Sequence, residues 1–296
     1  MASSPTRTDP APAEAGGEPL AILCGGGAFP LAVAHAARRA GRSVQIFALR
    51  GHADPGVAAF PHVWIGLGQY GKLKAELRRR GCRDVVFIGN VLRPRLRDIK
   101  LDWQTVRLLP RIVGMLRGGD NHLLSNIGRL FERDGFRLLG AHEVAPDILV
   151  PAGRLGRKAP DRAMLDDIEI GRRALTTMGP LDIGQGVVVI NRHVVAVEAA
   201  EGTDLMLRRC AELRENGRVR APTASGVLVK VPKIDQDRRF DLPSLGVLTV
   251  EGVARAGLAG IAVEAGGVIA ADLPAIIAAA DAAGLFVYGF EPAGAT

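Results

Sequence analysis

Pro19–Leu49 reads PLAILCGGGAFPLAVAHAARRAGRSVQIFAL, and the order of elements within it decides the fold. Pro19–Leu23 is a short apolar run that meets Cys24-Gly25-Gly26-Gly27-Ala28-Phe29-Pro30. Leu31–Ala40 then reads as a helix, with Pro30 suited to its first turn and Gly41 to its end. Ser43–Leu49 returns as an alternating strand. Strand, helix and strand, with glycines at the first junction, make a βαβ unit whose loop N–H groups can approach a phosphate. The spacing is not Gly-x-Gly-x-x-Gly, and Arg50-Gly51 stand where an acidic residue would hold a ribose. That argues against a nicotinamide cofactor. A nucleotide or sugar phosphate at Gly25, Gly26 and Gly27 fits the loop, and so does a bare tight turn.

The alternation continues outward. His62–Ile65 reads as a strand, Gly66-Leu67-Gly68-Gln69 as a loop, Lys72–Arg80 as a helix and Asp84–Gly89 as a strand, which predicts a parallel, doubly wound sheet. Gly66, Gly68, Gly89 and Asn90 fall at strand C-terminal ends, where such sheets bind ligands. The basic run Arg93, Arg95, Arg97 and Lys100 is either a solvated connector or a contact to lipid headgroups or phosphate. Helices are expected over Thr105–Arg117 and from about His122 to Asp134, with Asp120 or Asn121 as cap of the second. Phe136–Gly140 resembles the last strand of this part.

Ala141–Ala159 loses periodicity and collects proline and glycine, which places a domain boundary near residue 148. Residues 1–19, rich in Ala, Pro, Ser, Thr and Glu, read as a disordered tail rather than a signal peptide. Residues 20–147 form a Rossmann-like α/β domain with a parallel sheet, and residues 148–296 a C-terminal mixed α/β domain. In the second part Asp161 caps an amphipathic helix to Met178, with Leu165, Ile168 and Leu175 inward. Gly186–Ile190 and His193–Ala199 flank Asn191-Arg192 as a hairpin. Thr203 reads as the N-cap of a helix over Leu205–Leu213, with Asp204 in its first turn. Gly226–Val231 and Gly260–Glu264 read as strands, Thr249–Gly257 and the Asp272-capped run to Ala283 as helices, and Leu285–Gly289 as a closing strand.

The chemistry concentrates in Val229–Pro243, VKVPKIDQDRRFDLP. Asp235, Asp237 and Asp241 stand among Lys230, Lys233, Arg238 and Arg239, between Pro232 and Pro243, so most of the stretch is loop. Carboxylates can hold a divalent cation and aim water, while Lys and Arg neutralise phosphate oxygens. The same charges also suit a solvated loop with internal ion pairs. Glu201-Gly202-Thr203-Asp204 serves equally as a helix cap or as a second wall of one site.

Composition narrows the partners. With 48% hydrophobic and 23% charged residues, the chain belongs with soluble globular proteins. Aromatics at 4% argue against the stacking platforms of single-strand or RNA recognition. The formal charge of +7 favours anionic small molecules or an anionic membrane surface. Cys24, Cys82 and Cys210 form no Cys-x-x-Cys pair, which argues against a disulfide framework and a zinc ribbon and suits a reducing compartment. No apolar run reaches the length of a membrane span.

Four segments together resemble the LpxI family of UDP-2,3-diacylglucosamine diphosphatases. They are Gly25-Gly26-Gly27-x-x-Pro30; Gly118-Gly119-Asp120-Asn121-x-Leu123-Leu124; Val195-x-x-Glu198-x-x-Glu201-Gly202-Thr203-Asp204; and Lys230-x-x-Lys233-x-x-Gln236-Asp237-x-Arg239-Phe240-Asp241-x-Pro243. The resemblance runs from about Leu20 to Pro292, and Asn121 departs from it where the family often has Asp. It implies hydrolysis of UDP-2,3-diacylglucosamine to UMP and 2,3-diacylglucosamine 1-phosphate (lipid X) in lipid A biosynthesis. It also implies Mg²⁺, or another divalent cation such as Mn²⁺, and a homodimer. It places the protein in the cytoplasm, peripheral on the cytoplasmic face of the inner membrane, with no nucleic-acid partner. Under it Asp237 is the catalytic residue, orienting water or ligating metal, and Glu201, Asp204 and Asp241 are the other acidic metal positions. Gly25, Gly26, Gly27, Gly89, Asn90, Asp120, Asn121, Gly202, Thr203, Lys230, Lys233, Gln236 and Arg239 are substrate contacts, with the interdomain linker allowing closure. Asp235 and Arg238 are expected to face solvent. The rival readings are a nonenzymatic carrier of an anionic lipid or nucleotide sugar and another nucleotide-sugar enzyme, such as a transferase, on the same fold.

Overall fold

All six residues of Val44–Leu49 (β2) are buried, as expected of a strand covered on both faces of a parallel sheet. The computed structural model describes residues 17–91, 102–107, 120–181, 183–233, 237–240 and 242–292, and for 120–123 the backbone alone. Most of the predicted helix Thr105–Arg117, the basic run 93–100, and most of the 1–19 tail lie outside these residues. So do Gly118, Gly119, Asp235, Gln236 and Asp241, and the side chains of Asp120 and Asn121.

The first sheet joins β1 (Leu20–Cys24), β2, β3 (His62–Ile65), β4 (Asp84–Ile88) and β5 (Arg137–Leu139) in the order β3-β2-β1-β4-β5. Every pairing in it is parallel. Helices α1 (Phe29–Arg39), α2 (Tyr70–Arg79) and α3 (Asp120–Arg133) connect the strands. This is the doubly wound sheet that the βαβ pattern predicts. Pro30 sits in the first turn of α1 and Gly41, at φ +79°, just beyond its end. Asp120 and Asn121 open α3 rather than preceding it. At the opposite end of this sheet, buried Asp84 accepts from both Arg42 and Arg137, and the Arg137 hydrogen bond leads in holding its carboxyl below the usual range.

The predicted connector is more structured than its composition suggests. Ala141–Val144 (α4) and a 3₁₀ turn at Pro146–Ile148 bury Ala141, Val144, Ala145 and Ile148 in the core of the first sheet. Glu143 accepts from the Gly140 N–H at 2.7 Å to start α4, a contact between neighbours that hydrophobic periodicity does not register.

The second sheet has the order β6-β13-β11-β9-β7-β8, from β6 (Gly153–Arg154), β7 (Gly186–Ile190), β8 (His193–Val197), β9 (Val227–Lys230), β11 (Gly260–Glu264) and β13 (Phe286–Phe290). Strands β9, β11 and β13 are parallel, while β7 runs antiparallel to β8 and β9. The two-residue strands β10 (Ser244–Leu245) and β12 (Ile269–Ala270) pair separately, and no sequence signal announced them or β6. Side chains alternate across the large sheet. Val187, Val229 and Ala262 meet Ile168 and Leu175 of α5 (Arg162–Met178). Val188, Leu228 and Ile261 meet Met206 of α6 (Gly202–Glu215), Val250 of α7 (Val247–Arg255) and Ile276 of α8 (Leu273–Ala282). Each such fully buried aliphatic side chain contributes about 1.5–3 kcal/mol.

Asp161 and Asp272 cap α5 and α8 as read from the sequence. Leu165, expected inward, is exposed, because the inward stripe of α5 runs through Ile168 and Leu175. The hairpin turn is held from below: buried Asp167 accepts from the N–H groups of both Asn191 and Arg192, whose φ values are +49° and +65°. Those bonds offset the strain of two left-handed non-glycine residues. Among the described residues no helix is long and apolar enough to cross a membrane.

Candidate active site

Lys230 ends β9 on the face that carries Leu228, the face covered by α6, and is 4% exposed. Its Nζ donates to Thr203 Oγ1 and to the Ser244 carbonyl, both at 2.9 Å. Thr203 in turn donates to Glu198 Oε1 at 2.8 Å, and the other oxygen of Glu198 accepts from Gln185 N–H at 3.3 Å. A buried ammonium persists only where hydrogen bonds and a counter-charge replace water. Glu198 stands one hydroxyl away, on the far side of Thr203. Thr203 is therefore not the helix cap that its position predicts: Glu201 occupies the N-cap position, and no side chain caps it. The hydroxyl is committed between a carboxylate and an ammonium instead.

Asp237 and Arg239 form the second centre. Arg239 Nε donates to Asp237 Oδ1 at 2.9 Å and Nη2 to Oδ2 at 2.7 Å, a two-pronged pairing closed by the Arg239 N–H at 3.1 Å. Arg239 holds the Asp237 carboxyl below the usual carboxylate range, so it is ionised at neutral pH. The remaining edge of the guanidinium reaches the first half of the chain: Nη1 donates to Glu132 Oε1, on α3, at 2.7 Å. The next residue, Phe240, packs edge-on against Phe87 of β4 at 5.3 Å between ring centroids and joins the cluster around Phe131 and Leu138. Phe87 lies two residues before Gly89, so the Phe240 ring is seated near the C-terminal end of β4.

At that end the loops after β1 and β4 clasp each other. Gly26 and Asn90 exchange backbone hydrogen bonds at 2.8 and 2.9 Å. A Cβ on Gly25 would stand 2.7 Å from the Asn90 carbonyl oxygen, and one on Gly26 2.8 Å from that of His52. Gly89, at φ +101°, is hemmed in by Gly26 O at 2.8 Å. Backbone packing accounts for these three glycines. Gly27, at φ +94°, is the open one, with the Asn90 side-chain amide 3.8 Å from its hypothetical Cβ.

The predicted site residues thus fall into three groups: Gly25, Gly26, Gly27, Gly89 and Asn90; Thr203 with Lys230; and Asp237 with Arg239. Gly202, at φ +78°, opens α6 beside Thr203. Lys233 follows β9 by three residues and is half-buried. Arg238 is exposed as expected but also lies 3.6 Å from Glu264 at the end of β11. Glu201 is turned toward Arg209 at 2.7 Å, and Asp204 is exposed in the first turn of α6. Among the described residues no group of three or more His, Cys, Asp or Glu side chains could hold a metal ion. The donor chemistry, carboxylate oxygens throughout, suits a hard cation, but Asp237 and Glu201 are engaged in separate ion pairs.

Sequence reading missed Glu198, Glu132 and Glu264. Glu198 stood inside a quoted motif, but its role needs the Thr203–Lys230 contact to be seen. Glu132 and Glu264 carry no local signal. No thiolate competes for a catalytic role, since burial pushes Cys24, Cys82 and Cys210 each up to about 11.

Comparison with known proteins gives a family match to each part of the chain. Residues 19–148 match the LpxI N-terminal domain and residues 151–288 the LpxI C-terminal domain. The UDP-2,3-diacylglucosamine pyrophosphatase LpxI of Caulobacter vibrioides is 45% identical over 273 residues, spanning 92% of this chain and 98% of that protein. Asp237–Phe240 falls inside the C-terminal match, and the chain belongs to the LpxI family.

Proposed function

We propose that the protein hydrolyses the diphosphate of UDP-2,3-diacylglucosamine, giving UMP and 2,3-diacylglucosamine 1-phosphate, and that it does so with a divalent cation. Water adds to one phosphorus, the bridging P–O bond breaks, and the displaced phosphate leaves as an anion. The observation that carries this reading is the Asp237–Arg239 pair itself, held to α3 through Glu132 while the neighbouring Phe240 packs on Phe87 of β4. There an ionised carboxylate and a guanidinium stand where two halves of the chain meet.

Asp237, ionised at neutral pH, accepts a hydrogen bond from the attacking water and aims it. Arg239, Lys230 and Lys233 take up negative charge as the anhydride opens. Bound Mg²⁺ or Mn²⁺ would neutralise phosphate oxygens, with Asp237 and Asp241 as ligands and Glu201 and Asp204 as further acidic positions. The Gly27–Asn90 edge and Gly202–Thr203 would line the substrate, as would Asp120, Asn121 and Gln236. A lipid-linked substrate and a charge of +7 support work at an anionic membrane surface, peripheral on the cytoplasmic face of the inner membrane. A homodimer belongs to the same proposal, as does a division of the chain into domains near residue 148.

The test is UMP release from UDP-2,3-diacylglucosamine, with and without Mg²⁺, by the native protein and by Asp237→Ala. Metal-dependent release that collapses in a folded Asp237→Ala protein is the expected result. Robust release by that variant would remove Asp237 from the chemistry. Tight lipid binding without release would make the protein a carrier.

A further inference from the structure

Arg239 uses its guanidinium on two sides. One edge, Nε with Nη2, is spent on Asp237, and Nη1 on Glu132. Asp237 and Arg239 are only two residues apart, so their pairing is local and does not by itself fix where the loop stands relative to the rest of the protein. Glu132 is 107 residues away in sequence and sits on α3. It supplies the external reference. The same helix seats the neighbouring side chain: a Cβ on Gly128 would lie 2.5 Å from Phe240 Cζ, so the ring occupies the space that a larger residue there would fill. Gly128 and Glu132 are four residues apart and share one helical face. One turn of α3 therefore offers both a slot for Phe240 and an anchor for Arg239.

We propose that Glu132 is a positioning residue for Asp237, acting through Arg239, so that the carboxylate is set only when the loop is docked on α3. The proposal rests on the reading of Asp237 as the residue that handles the attacking water. Arg239 has a planar fork whose orientation is fixed when both edges are occupied. With Glu132 removed, the Asp237–Arg239 pair persists but swings as a unit about the Phe240 seat, and the aim of the water is lost. Because Glu132 lies at the surface, its ion pair contributes little to global stability.

The experiment compares Glu132→Ala and Glu132→Gln in the full chain. It measures UMP release, thermal unfolding, and amide exchange in the peptide covering Asp237–Phe240, where Arg239 N–H donates to Asp237 Oδ1 and Phe240 N–H to the Asp237 carbonyl. For Glu132→Ala the expected result is a fall in kcat of about tenfold to a hundredfold, KM within about twofold, an unchanged unfolding midpoint and faster exchange in that peptide. Glu132→Gln keeps an oxygen acceptor for Nη1 and restores most of kcat and of the protection. A native-like kcat in Glu132→Ala, a loss confined to KM, or an equal loss in both variants overturns the proposal. If the native protein releases no UMP, the functional reading fails by itself and the exchange measurement decides: unchanged protection in Glu132→Ala then overturns the positioning role.

Discussion

Lys230 and Thr203 meet at 2.9 Å across a separation of 27 residues, and the contact joins the end of β9 to the first turn of α6. It converts a threonine that reads as a helix cap into the middle member of a hydrogen-bonded chain from half-buried Glu198 to buried Lys230.

Replacing Thr203 by Val should therefore destabilise the protein by about 1–3 kcal/mol, since it takes one hydrogen-bond partner from the half-buried Glu198 carboxylate and one from the buried Lys230 ammonium. Thr203→Ser keeps the hydroxyl and should lie close to native. Urea unfolding midpoints of the two variants check this, and equal destabilisation by Ser and Val would show that the methyl group, not the hydroxyl, matters.

The pairing of Asp237 with Arg239 fixes the sign of a pH effect. Its hydrogen bonds hold the folded carboxyl below its unfolded value. The stability it contributes is complete above the ordinary Asp range and disappears as pH falls through the depressed value. Arg239→Gln removes the main cause, so the carboxyl should return toward the ordinary range. The acid limb of kcat/KM, and the onset of acid unfolding, should both move to higher pH. A limb that moves lower, or stays in place, would mean that another group controls it.

Gly25 has a sharper requirement than its glycine-rich setting suggests. Gly25→Ala places a methyl 2.7 Å from a backbone oxygen that cannot rotate away. Overpacking of this kind costs about 1–3 kcal/mol. A lowered thermal midpoint, together with a raised KM as the loops after β1 and β4 are pushed apart, is the expected outcome. A native-like midpoint would show that the clasp yields freely.

The strands and helices of the first sheet were legible because each is a local pattern: an apolar run, a glycine junction, then 3.6-residue periodicity. The caps at Asp161 and Asp272 and the Asn191-Arg192 turn were legible for the same reason. Three things were not. The connector's α4 is too short to show periodicity, and β6, β10 and β12 are two-residue strands that exist only because a partner is present. Leu165 matched the helical stripe but lies at its edge. In the site, the sequence offers Asp237, Arg239, Lys230 and Thr203 as a set of charges and caps. It cannot say that Arg239 reaches Glu132 or that Glu198 stands behind Thr203, because those partnerships are made by packing between distant segments.

Phe240, Leu242 and Ile269, all from the second half of the sequence, are packed into the cores of the first. The first sheet alone would leave its aromatic cluster and the α1–α4 face without these side chains. The family's two sequence modules therefore share apolar core across their boundary. Cutting the chain between them would expose apolar surface on the first piece, and heating the intact protein should melt both sheets as one cooperative unit.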